Sequence, residues 1–518
     1  MNNRLLLLVI LSAFVFFANL GGTSIYILDE ARNAGCAMEM WQRHDPIVPT
    51  FNDVLRTDKP PLHYFFMMLA YTIGGVTPFT ARLFSALAGV MLVVFVYRKV
   101  RTVLNEPVAF YTGLVLLSSM QLAIQFHLAV PDPYLILWMA ISLLSFYTGF
   151  EENRRADMRW FYIAAALAFL TKGLIAIVFP GIIISLYLLL TQRINWTSIR
   201  KLQLPVGILL FLIIALPWYI AVGYQTDGAW LRGFFIEHNL DRYTRTMEGH
   251  RGFPLAPFAI LLLALSPFSV FIIQAVRLAL RQRKEHPFLV YCLIVVVTIA
   301  GFFSFSKTIL PSYPAPAIPF LAVVLGYYLH DLVEGRHTRG ALASFIVHGV
   351  LCLAIPIGVY SALGQEKPLA PLQWTAWLFV VLPVGCLAGM LLYFRGQRAG
   401  LVYGWSGAWI IATLLFFYVA FPAVDQKNPV TESLPIITSY ADHELVAYRR
   451  FNPAFVFALG RTIPMIESPQ EIENLLGKKI MIFSRAQYLD DFKDYPSLKV
   501  IYRGRDLFER GETVLLAN

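Results

Sequence analysis

The sequence predicts a polytopic α-helical membrane protein of about thirteen spans, followed by a small soluble α/β domain at the C-terminal end. Three observations predict it. Of 518 residues, 58% are hydrophobic and only 14% charged, which leaves too little polar surface to solvate a globule of this size. Apolar runs of the roughly 17–25 residues that a bilayer requires recur as far as residue 421. Beyond that point charges become frequent and the apolar runs shorten.

The first run, Leu5 to Leu20, follows Asn2, Asn3 and Arg4 and lacks a small-x-small cleavage site, so it reads as an uncleaved anchor. Further spans fall near 79–97, 107–125, 133–150, 158–171, 173–190, 205–223, 257–277, 287–305, 312–330, 341–361, 373–394 and 401–421. The run 61–74 is too short: it opens on Pro60-Pro61 and ends in Gly74-Gly75, and is expected to lie at or dip into the outer face. Counting it as a span would invert everything after it.

Charge tests that register, because short cytoplasmic loops concentrate Lys and Arg. The inner connections then carry Arg98-Lys99-Val100-Arg101, Arg154-Arg155, Arg193 with Arg200-Lys201, Arg281-Gln282-Arg283-Lys284, Arg336 with Arg339, and Arg395 with Arg398. All are basic. The net charge of +10 is therefore a topological signal and gives no reason to invoke nucleic acid. The same register puts the first loop (23–60), the surroundings of Asp132, the loop 224–256, the Lys307 turn and the tail 422–518 on the outer side. Cys292, Cys352 and Cys386 sit in apolar spans and Cys36 in the first loop, which is no disulfide framework.

Two domains follow: a membrane domain, 1–421, and a soluble α/β domain, 422–518. In the latter, Leu445 to Tyr448, Lys479 to Phe483 and Leu498 to Tyr502 read as strands. Ser468-Pro469-Gln470-Glu471 reads as a helix start, with a Ser cap, Pro at the first position and Glu at the third. No internal repeat is visible, which counts against transporters built from paired halves.

Ionisable residues converge on the outer side: Asp29, Glu30, Asp58, Lys59, Asp132, Lys172, His238, Arg242, Arg245, His250 and Lys307. Charges beside a membrane are costly unless paired, wet or functional. Each also has a plain structural reading. Asp29 and Asp132 could cap helices, Asp58-Lys59 could be a solvated turn, Lys172 could snorkel, and His238 could be a surface histidine. No HExxH or CxxC spacing marks a metal site.

The order of Leu28-Asp29-Glu30-Ala31-Arg32, Asp58-Lys59-Pro60-Pro61-Leu62, Ala81-Arg82-Leu83, Pro131-Asp132-Pro133, Leu170-Thr171-Lys172-Gly173, Glu237-His238-Asn239-Leu240, Gly249-His250-Arg251-Gly252 and Ser306-Lys307 through Tyr313 resembles the GT-C fold glycosyltransferases that use polyprenyl-phosphate sugars. The closest likeness is to bacterial relatives of the protein O-mannosyltransferases and the lipid A aminoarabinose transferase. It covers about 1–320. The resemblance implies Asp29 as catalytic base, with Asp132 as a second catalytic acid. It implies Lys59, Arg242 or Arg245, and Lys307 on the donor phosphate. Glu30, Lys172, His250 and Tyr313 would line or close over the substrates. Asp58 and His238 would share a divalent metal (Zn, Mg or Mn), although Asp at 58 replaces the family's Glu and is one methylene shorter. No nucleotide cofactor is expected, because a sugar on a lipid phosphate already carries its leaving group. The implied partners are a polyprenyl phosphate sugar and a glycolipid, glycan or protein acceptor. A flippase of such lipids, or a non-catalytic envelope protein, are the alternatives.

Overall fold

The computed structural model describes residues 3–240, 253–306, 309–507 and 511–518, with the side chains of 238–240 outside the described set. Among the described residues, eight helices are long and apolar enough to cross a membrane, or up to ten if each of two bent pairs is one span. One pair, Glu106–Ser118 with Met120–Phe126, bends by 70°, and the other, Ala256–Ala264 with Phe268–Arg281, by 115°. The first bend has a local cause. Ser119 leaves the helix (ψ 102°), and its hydroxyl accepts from Leu122 N–H at 3.2 Å while donating to the Ala264 carbonyl at 2.6 Å. The freed backbone groups are thus satisfied, and the bends of the two pairs are tied together. Asn3–Phe16, Leu62–Gly74 and Ile175–Leu190 are apolar but shorter. A short helix therefore does follow Pro60-Pro61.

The C-terminal sheet has five strands: β3 (Glu444–Tyr448), β4 (Met465–Ile466), β5 (Ile480–Arg485), β6 (Lys499–Arg505) and β7 (Glu512–Ala517), in the order β4-β3-β5-β7-β6. β3 lies parallel to β4 and β5, and β7 antiparallel to β5 and β6. Three of these strands coincide with the expected ones; β4 and β7 are additions, β4 at the sheet's edge and β7 between two of the expected strands. In the Pro469–Glu473 helix, Glu471 Oε1 accepts from both the Ser468 N–H (3.1 Å) and hydroxyl (2.8 Å), as the capping pattern predicts.

Alternation along the strands gives the sheet two buried faces. Val446, Tyr448, Ile480, Ile482, Val514 and Leu516 pack with Ile472 and Phe492 of the domain's own helices. Leu445, Ala447, Met481, Phe483 and Leu515 point the other way, into a core shared with Ala31, Ala34, Cys36, Ala37 and Met38. Those belong to the Leu28–Gln42 helix of the first loop. The sheet therefore serves as the floor on which that loop is laid.

Polar contacts fix the loop's register. β1 (Thr50–Phe51) and β2 (Val54–Leu55) form a hairpin whose tip, Asn52 and Asp53, has φ of 53° and 62°, the left-handed pair that a tight two-residue turn needs. The buried Glu39 carboxylate accepts from Asn52 N–H, Asp53 N–H and the Thr50 hydroxyl. Asn52 exchanges two hydrogen bonds with the Ile463 backbone, at 2.9 and 2.7 Å.

Candidate active site

Asp29 lies in the first turn of the Leu28–Gln42 helix, but that helix begins at Ile27 with no side-chain cap, so the carboxylate has no capping task. It faces Arg56 instead. The Arg56 guanidinium, 6% exposed, stands 3.9 Å from Asp29 and 3.4 Å from Asp58. Its Nε donates to the Tyr64 hydroxyl (3.2 Å), the same Nη2 that faces the carboxylates reaches Asn33 Oδ1 (3.5 Å), and the Arg56 backbone carbonyl accepts from the buried Trp230 indole at 2.9 Å. Asn33 Oδ1 is also 3.2 Å from both His63 Nε2 and the Tyr64 hydroxyl. Three helices and a loop are thus pinned around one cation.

Burial pulls the Asp29 carboxyl upward, but the positive charges of Lys59, Arg56 and Lys172 outweigh it and hold it below the ordinary 3.8. Asp29 is thus ionised at neutral pH. His63 is pushed the other way: burial, with Lys59 and Arg56 nearby, keeps its imidazole neutral.

Asp132 begins the Asp132–Glu151 helix without capping it, and Lys172 ends the Arg155–Lys172 helix. The two join in a largely buried pair at 2.7 Å. The Lys172 ammonium also lies 5.7 Å from the Tyr313 ring centroid, and Tyr313 packs on Phe303 at 4.8 Å. Neither the capping reading of Asp132 nor the snorkelling reading of Lys172 describes this arrangement. Because Lys172 acts on the Asp29 charge, the pair belongs to the same electrostatic field.

Glu30 corrects an expectation. Instead of facing a substrate it is fully buried, holding Arg82 through two bonds of 2.8 and 2.9 Å and accepting from Ala129 N–H at 2.9 Å. Arg82 in turn donates to the Leu20 and Thr23 carbonyls. A hundred degrees of helical rotation separates neighbouring residues, so Asp29 can face the cleft while Glu30 faces the bundle.

The segment carrying His238, Gly233–Leu240, is a π-helix, a form often found at functional sites. Its position is set by two close approaches. A Cβ at Gly233 would stand 2.6 Å from Thr57 Oγ1, and one at Gly173 (φ 72°) would stand 2.5 Å from the Phe234 ring. The segment therefore passes between the Asp58 loop and the Lys172 turn. The His238 side chain, Arg242, Arg245, His250 and Lys307 lie outside the described residues.

Asp58 stands 3.4 Å from the Arg56 guanidinium, and the side chain of His238, its expected partner in a metal site, lies outside the described residues. Sequence reading missed Arg56, Asn33, His63 and Tyr64. The available signal was Arg56 itself, a cation two residues before Asp58 in a loop otherwise rich in turn formers.

Residues 58–220 match the family model described as dolichyl-phosphate-mannose-protein mannosyltransferase. The undecaprenyl phosphate-alpha-4-amino-4-deoxy-L-arabinose arabinosyl transferase of Serratia proteamaculans is 26% identical over 440 residues, 83% of this chain and 77% of that protein. An uncharacterised protein of Aquifex aeolicus is 29% identical over 71% of this chain and 81% of its own. Among solved structures, ArnT of Cupriavidus metallidurans bound to undecaprenyl phosphate superposes with a TM-score of 0.84 at 23% identity, covering 99% of this chain and 97% of that one. The oligosaccharyltransferase AglB of Archaeoglobus fulgidus gives 0.52 at 13% identity, over 94% and 69%. The folds are the same.

Proposed function

From the premise that this chain is a multi-pass membrane glycosyltransferase of the GT-C fold, using a polyprenyl-phosphate sugar, we propose that it moves an amino sugar from undecaprenyl phosphate to a phosphorylated glycolipid such as lipid A. The observation that carries this is the meeting of an ionised, half-exposed carboxylate, Asp29, with the cations Arg56, Lys59 and Lys172.

The chemistry follows from that pairing. An acceptor hydroxyl must lose its proton as it attacks the anomeric carbon, and Asp29 is the group to take it. The carbon–oxygen bond to the lipid phosphate breaks in the same displacement, which inverts the sugar. Negative charge gathers on the departing phosphate, and Lys59, one of Arg242 or Arg245, and Lys307 stabilise it. Arg56 keeps Asp29 and Asp58 in place; Asp132 holds Lys172, and Tyr313 covers it. The resemblance assigns His250 to the part of the 224–256 loop that would line or close over the substrates. No step requires a metal; a divalent ion shared by Asp58 and His238 would add a further clamp on phosphate, and equal activity in excess chelator would remove it.

The acceptor class is suggested by a cleft of about 790 Å³ between the first loop and the C-terminal sheet. Arg32, Arg449, Arg450 and Arg485 line it, a composition suited to phosphate groups. An apolar cavity of about 250 Å³ among Leu20, Ile27, Ile124, Leu128, Phe416 and Phe417 would take part of an acyl or prenyl chain. Thirteen crossings result if the eight long helices, the two bent pairs, the short anchor Asn3–Phe16 and the helices Arg155–Lys172 and Ile175–Leu190 each cross once; that odd number, with the basic inner loops, supports a reading in which the first loop and 422–518 share the periplasmic side of the inner membrane.

Mass spectrometry of envelope lipids from cells with and without the gene product would show the transferred sugar as a missing mass. Asp29→Asn should insert normally and transfer about 100-fold less, the scale of a lost general base. Wild-type transfer by that variant would remove Asp29 from the mechanism.

A further inference from the structure

Away from the cleft, two membrane helices bring together four soft donor side chains. The Ala341–Gln365 helix presents His348 and Cys352, one turn apart, and the Val381–Phe394 helix presents Cys386 and Met390, also one turn apart. The imidazole Nε2 is 3.3 Å from the Cys352 sulfur, and the Cys386 sulfur is 3.7 Å from the Met390 sulfur. Donor atoms of His348, Cys352 and Cys386 all lie within 4.8 Å of one another. All three residues are buried, at 1%, 0% and 3% exposure. The cluster is also held in place. The Trp405 ring packs on the His348 ring at 3.9 Å, and its indole N–H donates to the Cys386 carbonyl at 3.2 Å.

We infer that His348, Cys352, Cys386 and Met390 form a binding site for a thiophilic monovalent cation, Cu(I). In a tetrahedral site with metal–sulfur bonds of about 2.3 Å and metal–nitrogen bonds of about 2.0 Å, neighbouring donor atoms stand roughly 3.4–3.8 Å apart. The two short separations, 3.3 and 3.7 Å, lie close to that range, and among His348, Cys352 and Cys386 the widest, at most 4.8 Å, needs about one ångström of side-chain rotation. A thioether beside two thiols selects Cu(I) over zinc, for which thioether is a poor ligand. Charge points the same way. Cu(I) enters in exchange for one proton: one thiol forms the copper–sulfur bond and loses its proton to the aqueous phase, so one thiolate, a neutral imidazole, the second thiol and the thioether surround Cu(I) with no net charge. That neutrality is what a membrane interior demands.

The site stands independently of the transferase reading, so it is tested by binding. The full-length protein, purified in detergent under anaerobic reducing conditions, would be titrated with Cu(I) against a chromogenic Cu(I) chelator. One equivalent should be withheld per chain, with copper–sulfur scattering in X-ray absorption. Cys352→Ser/Cys386→Ser should lose that equivalent; Cys36→Ser/Cys292→Ser should keep it. Met390→Leu conserves volume and should fold, so it serves if the double variant aggregates; its Cu(I) affinity should fall at least tenfold. Wild-type protein that withholds no copper, Cys36→Ser/Cys292→Ser losing it equally, Met390→Leu binding as wild type, or loss of free thiols to a Cys352–Cys386 disulfide under these conditions would each overturn the site.

Discussion

Replacing Arg56 with Met should shift the acid limb of the activity profile upward, because Arg56 is one of the charges that hold Asp29 ionised. At 3.9 Å, Coulomb attraction is about 4 kcal/mol at an effective dielectric of 20 and about 1 kcal/mol in water. Asp29 is half exposed, so the lower end applies, and about 1.5 kcal/mol corresponds to roughly one pH unit. The sign is fixed by the active form. Asp29 works ionised, its activity is present above its folded pKa and is lost as pH falls through it. Removing Arg56 raises that pKa, so loss begins at higher pH. The same linkage applies to stability: the carboxylate's contribution is present above the ordinary carboxylate range and fades as pH falls towards the depressed folded value. Arg56→Met also strips partners from Asn33 and Tyr64, so a lower melting temperature is expected alongside. The assay is sugar transfer by purified protein in detergent between about pH 3 and 8, with kcat/KM fitted at each point. An acid limb that stays in place in a folded Arg56→Met variant would show that Asp29 is not the titrating base.

Asp132→Asn should destabilise the protein by about 3 kcal/mol or more, because it leaves the Lys172 ammonium buried without its counter-ion; Asp132→Asn/Lys172→Met should recover part of that loss in a thermal unfolding cycle. Asn52→Gly keeps the left-handed turn but removes both bonds to Ile463, so transfer and melting temperature should fall together, by about 2 kcal/mol in stability; unchanged values would mean that the hairpin contact is idle. A reporter that matures only in the periplasm should be active after Asn518 and silent after Arg101; the reverse would put the tail and the first loop on opposite sides.

The mostly helical, apolar character of the chain and the gathering of Asp29, Asp58, Asp132 and Lys172 in one region were legible because hydropathy and loop charge act locally along the chain. The Ser468 helix start was legible for the same reason. Other features depend on distant partners. Glu30 and Asp29 are adjacent acids with opposite surroundings, and only the position of Arg82, 52 residues away, separates them. Arg56 becomes central through Tyr64, Asn33 and Trp230, the last 174 residues distant. The bend at Ser119 depends on the Ala264 carbonyl, which no local pattern announces. β7 was passed over because its short apolar run follows a charged stretch and gains its place only between β5 and β6.

The hairpin tip at Asn52 and its partner Ile463 are 411 residues apart, and Tyr26 reaches Leu507 across 481. Ribosomes deliver those partners long after the loop that needs them. Until the five-stranded sheet has closed beneath the Leu28–Gln42 helix, the loop bearing Asp29 lacks its floor, whatever the state of the helices before it. Proteolysis before residue 463 would therefore release the hairpin's anchor and unseat the loop without cutting the loop itself.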